Sequence, residues 1–198
     1  REKAPISVKK LIETSGSSSA IVKSLVDKTI FEEYYIAQDR VAFDKEDNSQ
    51  FTLSDAQQAA FESIQENFKT FDVNLLHGVT ASGKTEIYIK LLEQYIKDGK
   101  QVLFLLPEIA LTTQLVQRLT AYFGNEVAVF HSKYTNNERI EVWNQVLENS
   151  PKAKVVIGVR SALFLPFSDL GCIIVDEEHE QTFKQNDPSP RYHARDAA

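Results

Sequence analysis

From residue 51 onward the chain switches repeatedly between two hydrophobic patterns. Apolar runs of strand length stand at 73–77, 102–106, 127–130, 155–158 and 172–175. Between them the apolar positions recur at helical spacing. One helix is expected over about 54–68, with Ser54 as its cap, and another follows Lys84 with Tyr88, Leu91, Leu92 and Tyr95 on one face. A third is expected around 110–123, and a fourth around 137–148 with Ile140, Trp143, Val146 and Leu147 on one stripe. Near-continuous apolar strands separated by amphipathic helices predict an α/β fold, a parallel sheet covered by helices on both faces. Such sheets bind ligands beyond the carboxyl ends of their strands.

The N-terminal part reads differently. Over residues 5–28, Val8, Leu11 and Ile12 make one helical stripe, and Ile21, Val22, Leu25 and Val26 make a second. The turn between them, Thr14-Ser15-Gly16-Ser17-Ser18-Ser19, carries hydroxyls suited to capping the second helix. Helix, glycine-containing turn, helix is the outline of a helix-turn-helix. Ile30, Phe31, Tyr34, Tyr35, Ile36, Val41 and Phe43 around 37–40 would then form a hairpin wing. A small helical cap that touches no nucleic acid fits the same residues. Residues 44–50 are polar and aperiodic, so a winged-helix-like domain over 1–44, a linker over 45–50 and the α/β domain over 51–198 are expected.

Composition narrows this picture only a little. No run approaches the roughly 20 apolar residues of a membrane helix. The single Cys172 excludes an internal disulfide and a Cys-rich zinc site, and it reads as a buried, inert thiol in a reducing cytoplasm. The net charge of −6 does not favour a protein coated in positive charge for nucleic acid, yet phosphate contacts need only a local basic stripe. The opening Arg1-Glu2-Lys3-Ala4-Pro5 has no apolar signal region and no Met, which reads as a piece of a longer protein.

Two motifs carry chemistry. Gly78-Val79-Thr80-Ala81-Ser82-Gly83-Lys84-Thr85 fits G-x-x-x-x-G-K-[ST] after a strand-like run and before an amphipathic helix. The glycines allow backbone N–H groups to face phosphate, and the helix adds the positive end of its dipole. Lys84 supplies a cation for the β and γ phosphates of ATP, and the Thr85 hydroxyl suits Mg2+. The second motif is Asp176-Glu177-Glu178-His179 at the end of an apolar run. Asp176 would hold Mg2+ through water and Glu177 would polarise the attacking water, so hydrolysis is expected as well as binding. His131 and His193 lack further ligands at metal spacing and read as polar contacts.

Together these motifs resemble motifs I and II of superfamily 2 helicases, with a RecA-like P-loop fold. The sequence is most similar to the PriA (primosomal protein N′) family of replication-restart helicases. The likeness runs through 106–112, His131-Ser132, 158–164, 176–179, Lys184-Gln185 and 190–196, and the N-terminal part resembles the winged helix of that family. The resemblance implies a 3′-to-5′ DNA helicase acting on forked or single-stranded DNA. Its partners would be primosome and single-strand-binding proteins, and its place the bacterial cytoplasm at the nucleoid. Leu53 and Gln57 correspond to the adenine-contacting segment, while Pro107 to Thr112 and Arg160-Ser161 correspond to motifs that track the DNA backbone. The stretch with Phe183, Lys184, Arg191, Tyr192 and His193 is similar to an aromatic-rich loop coupling DNA to hydrolysis, by base stacking. The family's zinc ligands, 3′-end-binding domain and second motor lobe have no counterpart in these residues. The chain alone is therefore expected to bind ATP or ADP weakly and to turn over little ATP. A motor lobe of a restriction or remodelling ATPase, and a DNA-binding adaptor with a vestigial pocket, are the competing readings. The tail Arg191 to Asp196 favours the replication-restart family over the first, and intact Lys84, Thr85, Asp176 and Glu177 speak against the second.

Overall fold

The computed structural model describes residues 8–28, 30–31, 51–79, 82–108, 114–131 and 134–198. The chain forms two compact units, Arg1–Val41 and Ala42–Ala198. The first contains α1 (Val8–Ser15) and α2 (Ser19–Asp27), with Val22 buried and Ile21 exposed. Ser18 stands at the N-cap of α2, but its side chain makes no capping hydrogen bond. The hydroxyls of the turn bond backwards instead: Ser15 Oγ donates to the Leu11 carbonyl at 2.6 Å and shares a 2.7 Å bond with Ser17 Oγ. Apart from Ile30 and Phe31, the hairpin expected over 30–43 and the linker over 45–50 lie outside the described residues.

In the second unit the helices are α3 (Asp55–Asn67), α4 (Lys84–Lys97), α5 (Gln114–Phe123), α6 (Asn136–Leu147) and the short α7 (Ala194–Ala197). The strands β1 (Gln101–Leu105), β2 (Val127–Phe130), β3 (Val155–Gly158) and β4 (Leu170–Val175) form one parallel sheet in the order β2-β3-β1-β4. In register, Phe104 pairs with Ile157 on one side and Ile174 on the other. Alternation along β1 sends Val102 and Phe104 to a layer with α4 and α5, where Tyr88, Leu92, Leu119 and Phe123 are buried. Leu103 and Leu105 point to the opposite layer, against Val142 and Val146 of α6. Burying each such side chain is worth about 1.5–3 kcal/mol. The sheet with helices on both faces is the expected architecture.

Two expectations are corrected. Residues 73–77 join no ladder among the described residues, and Val73 and Leu75 are 85% and 78% exposed. Leu76 packs inward, and the Asn74 side-chain nitrogen is buried beside it in sequence. Apolar sequence makes a strand only when a neighbour takes up its N–H and C=O groups. On α6 the buried face carries Val142 and Val146, whereas Ile140, Trp143 and Leu147 face outward. The smaller valines let the helix approach the sheet, and the bulkier stripe is left in solvent.

Candidate nucleotide site and nucleic-acid-facing surface

The phosphate loop ends where α4 begins. Gly83, the N-cap of α4, holds φ +81°, ψ 24°, in the left-handed region open to glycine. A Cβ there would lie 2.3 Å from Gln57 Nε2. Gln57 is held from two directions: Nε2 donates to the Gly83 carbonyl at 3.1 Å, while Oε1 accepts the Ser54 N–H at 2.8 Å. The second bond completes a capping box with Ser54, so the expected adenine-contacting residue also ties α3 to the loop. Leu53 is half-buried just before this cap. Ser82 N–H closes a turn onto the Val79 carbonyl at 3.2 Å, and Lys84 Nζ donates to the Gly78 carbonyl at 2.7 Å. Thr80 and Ala81 lie outside the described residues. Glu86, one residue past Thr85, pairs through Oε1 with Arg118 Nη2 of α5 at 2.8 Å.

β4 delivers the acidic box to the same place. The Asp176 N–H still bonds to the Leu105 carbonyl at 3.0 Å, so its backbone is fixed by the sheet. Its carboxylate accepts the Tyr88 hydroxyl at 3.1 Å. Burial raises the Asp176 pKa, with the Tyr88 hydrogen bond and the Lys84 charge pulling against it. Glu177 has φ +52°, uncommon for a residue with a side chain, and is exposed at the sheet's edge. His179 Nε2 lies 3.7 Å from Glu177 Oε2. Glu178 pairs with Arg195 at 2.6 Å, joining the box to α7. The donor set of hydroxyl (Thr85) and carboxylate (Asp176) consists of hard oxygens beside a lysine, which suits Mg2+ and a polyphosphate.

The residues expected at DNA divide. Arg160 opens a 3-10 turn, Arg160–Phe164, and Nη1 donates to the Lys184 carbonyl at 2.7 Å. Lys184 and Gln185 form β5, paired antiparallel with β6 (Tyr192–His193). This small ladder was not expected from the sequence. It gathers Arg160, Lys184, Tyr192 and His193, with Ser161 and Arg191 exposed nearby in sequence. His193 is a polar contact as expected, its Nδ1 accepting the Arg195 N–H at 3.2 Å. Phe183 is corrected: it is 1% exposed and packs in the core, so it offers no face for base stacking. Pro107 is likewise buried, at the end of β1, and its ring is not presented for contact. Thr112 lies outside the described residues. An aromatic that sequence reasoning passed over is outside instead: Phe164 is 57% exposed, edge-to-face with Tyr192 at 5.2 Å.

Comparison with known proteins settles the family. The model described as DEAD/DEAH box helicase matches residues 54–196. This chain belongs to that helicase family. Within it the chain is similar to replication restart proteins named PriA. It is 40% identical to that of Bacillus subtilis over all of this chain and 25% of the relative. The Haemophilus influenzae protein is 44% identical over 91% of this chain and 25% of its own length. The Synechocystis protein is 50% identical over 63% and 15%. The chain thus spans about a quarter of the first two relatives. A solved structure of a Type ISP restriction-modification enzyme, LlaGI, in complex with a DNA substrate mimic has a similar fold. It aligns with TM-score 0.51 at 23% identity, over 67% of this chain and 16% of that one.

For a helicase-family chain the residue most readily missed was Tyr88. Its place four residues after Lys84, on the same side of α4, was the available signal. Among the described residues, no helix is long and apolar enough to cross a membrane.

Proposed function

We propose that this chain is the ATP-binding lobe of a 3′-to-5′ DNA helicase acting in replication restart in the bacterial cytoplasm. The observation that carries the reading is the meeting of the two motifs: α4, which opens at Lys84 and Thr85, reaches the acidic box through the Tyr88 hydroxyl, 3.1 Å from Asp176 Oδ1. The loop from Gly78 to Thr85 binds the phosphates of ATP, with Gln57 and Leu53 at the base. Thr85 and Asp176 hold Mg2+, which when bound neutralises phosphate charge and aligns the nucleotide for attack. Glu177, at the exposed tip of β4, orients the attacking water and takes its proton. Glu178 and Arg195 tie this acidic turn to the tail carrying Tyr192 and His193.

On the DNA side, Arg160, Ser161, Lys184, Arg191, Tyr192 and His193 contact backbone and unstacked bases of a forked or single strand. Thr112 belongs to the same set of DNA contacts in this reading, whereas Pro107, being buried, does not. Such contacts carry no sequence readout, which suits a translocase. Primosome and single-strand-binding proteins are the partners this reading entails, and the N-terminal helices belong to a winged-helix module.

The test uses the full-length protein on forked DNA. Lys84→Ala abolishes DNA-stimulated ATP hydrolysis and unwinding, while Glu177→Gln keeps Mg-ATP binding and loses turnover. Unwinding retained by Lys84→Ala would refute the reading. On this reading the 198-residue chain alone should bind ADP weakly in calorimetry and show no DNA-stimulated turnover, and rates typical of complete motors would count against that.

A further inference from the structure

The acidic box has a partner that the catalytic assignments leave unused. Tyr88 sits on the second turn of α4, buried, with its ring edge-on to Phe104 of β1 at 5.4 Å. Its hydroxyl lies 3.1 Å from Asp176 Oδ1. We propose that Tyr88 is a positioning residue for the Mg2+ site, fixing the carboxylate of Asp176 in the orientation that receives the cation.

The chemistry follows from what a partly buried carboxylate needs. Asp176 is half-buried at the end of β4, so part of its hydration is replaced by protein donors. The phenol returns one hydrogen bond to the ionised form. An ionised carboxylate offers about four acceptor positions, so this donor leaves capacity for a metal-bound water. Tyr88 also leaves the loop on the same helix as Lys84 and Thr85. Any shift of α4 as the loop fills is therefore passed directly to Asp176, one hydrogen bond away.

The inference rests on the nucleotide reading above, and its test separates the two. In the full-length protein, equilibrium binding of a fluorescent ADP is measured with EDTA and across a Mg2+ titration. The wild type gains affinity with Mg2+. Tyr88→Phe keeps the ring packing and the EDTA affinity within about twofold, but its half-saturating Mg2+ rises roughly 10-fold, the usual scale for losing an outer-shell partner of a metal ligand. Phe104→Leu removes the ring's packing partner and leaves the hydroxyl. It lowers Tm without a comparable rise in the Mg2+ requirement. An unchanged Mg2+ requirement in Tyr88→Phe, or an equal rise in Phe104→Leu, overturns the proposal. A wild type whose ADP binding ignores Mg2+ overturns the nucleotide reading itself, and this inference with it.

Discussion

Replacing Gly83 with alanine probes the joint between the phosphate loop and α3. At φ +81° an alanine bears the left-handed penalty, about 1–2 kcal/mol. The new Cβ would stand 2.3 Å from Gln57 Nε2 and 3.4 Å from Gln57 Cδ. A free glutamine would swing aside at little cost, but this one is pinned through Oε1 to the Ser54 N–H and through Nε2 to the Gly83 carbonyl. Displacing it dissolves the capping box, worth a further ~1 kcal/mol. Gly83→Ala should therefore cost about 2–3 kcal/mol, a fall in Tm of roughly 4–12 °C for a domain of this size. Gln57→Ala alone should cost about 1 kcal/mol as the cap is lost. Because the clash disappears with the side chain, the double variant should cost no more than Gly83→Ala, about 2–3 kcal/mol, and not the sum of about 3–4. Thermal and urea melts of the four proteins give the cycle. Additivity within ~0.5 kcal/mol would refute the coupling of α3 to the loop through Gln57.

Other outcomes follow from the same geometry. Gln101, fully buried at the start of β1, donates to the Val146 carbonyl at 2.9 Å and accepts the Ser168 and Asp169 N–H groups at 3.1 and 3.3 Å. Gln101→Leu leaves the buried Val146 carbonyl and the part-buried Ser168 and Asp169 N–H groups without these partners and should cost roughly 2–4 kcal/mol in urea melts; a loss under about 1 would contradict the role of the buried amide. Burial pushes the Cys172 thiol up to about 11, so alkylation by iodoacetamide at pH 8 should run on the order of 100-fold slower in the folded than in the denatured protein. Since the folded value is the raised one, this group's contribution to stability is complete below about pH 8.5 and is lost as pH climbs towards 11. Equal alkylation rates would disprove the assignment. Leu75→Lys, at a position 78% exposed, should change stability by under ~0.5 kcal/mol and reduce light scattering of concentrated protein. A destabilised variant would mean that Leu75 is covered.

Much of the site was legible because its signals are local. Ser54 with Gln57 announces a helix start three residues apart, and the glycines and Lys84 of the loop precede an amphipathic helix. β1, β2 and β3 were legible because burial on both faces makes them almost wholly apolar, and β4 because Cys172 to Val175 is an apolar run, although only Ile174 there is fully buried. What failed depended on partners distant in sequence. Residues 73–77 have a strand's composition, but nothing in five residues says whether a neighbour will pair with them. Ile140, Trp143 and Leu147 outweigh Val142 and Val146 in hydrophobicity, yet the fit to the sheet chose the valines. Phe183 and Phe164 look alike as aromatics near basic residues; only packing decides that the first is core and the second surface. Tyr88 read correctly as an inward-facing residue, but its hydroxyl's partner lies at the far end of another strand.

The outward stripe of α6 also sets what light can report about this protein. Trp143 is the only tryptophan, and it is 45% exposed on that stripe. Its emission in the folded chain should already be that of a solvated indole, so unfolding will shift it little, and circular dichroism is the better gauge of denaturation. The same placement makes it a sensitive sentinel for occlusion. A blue shift or loss of acrylamide quenching on mixing with another molecule would register contact at α6, with no label attached.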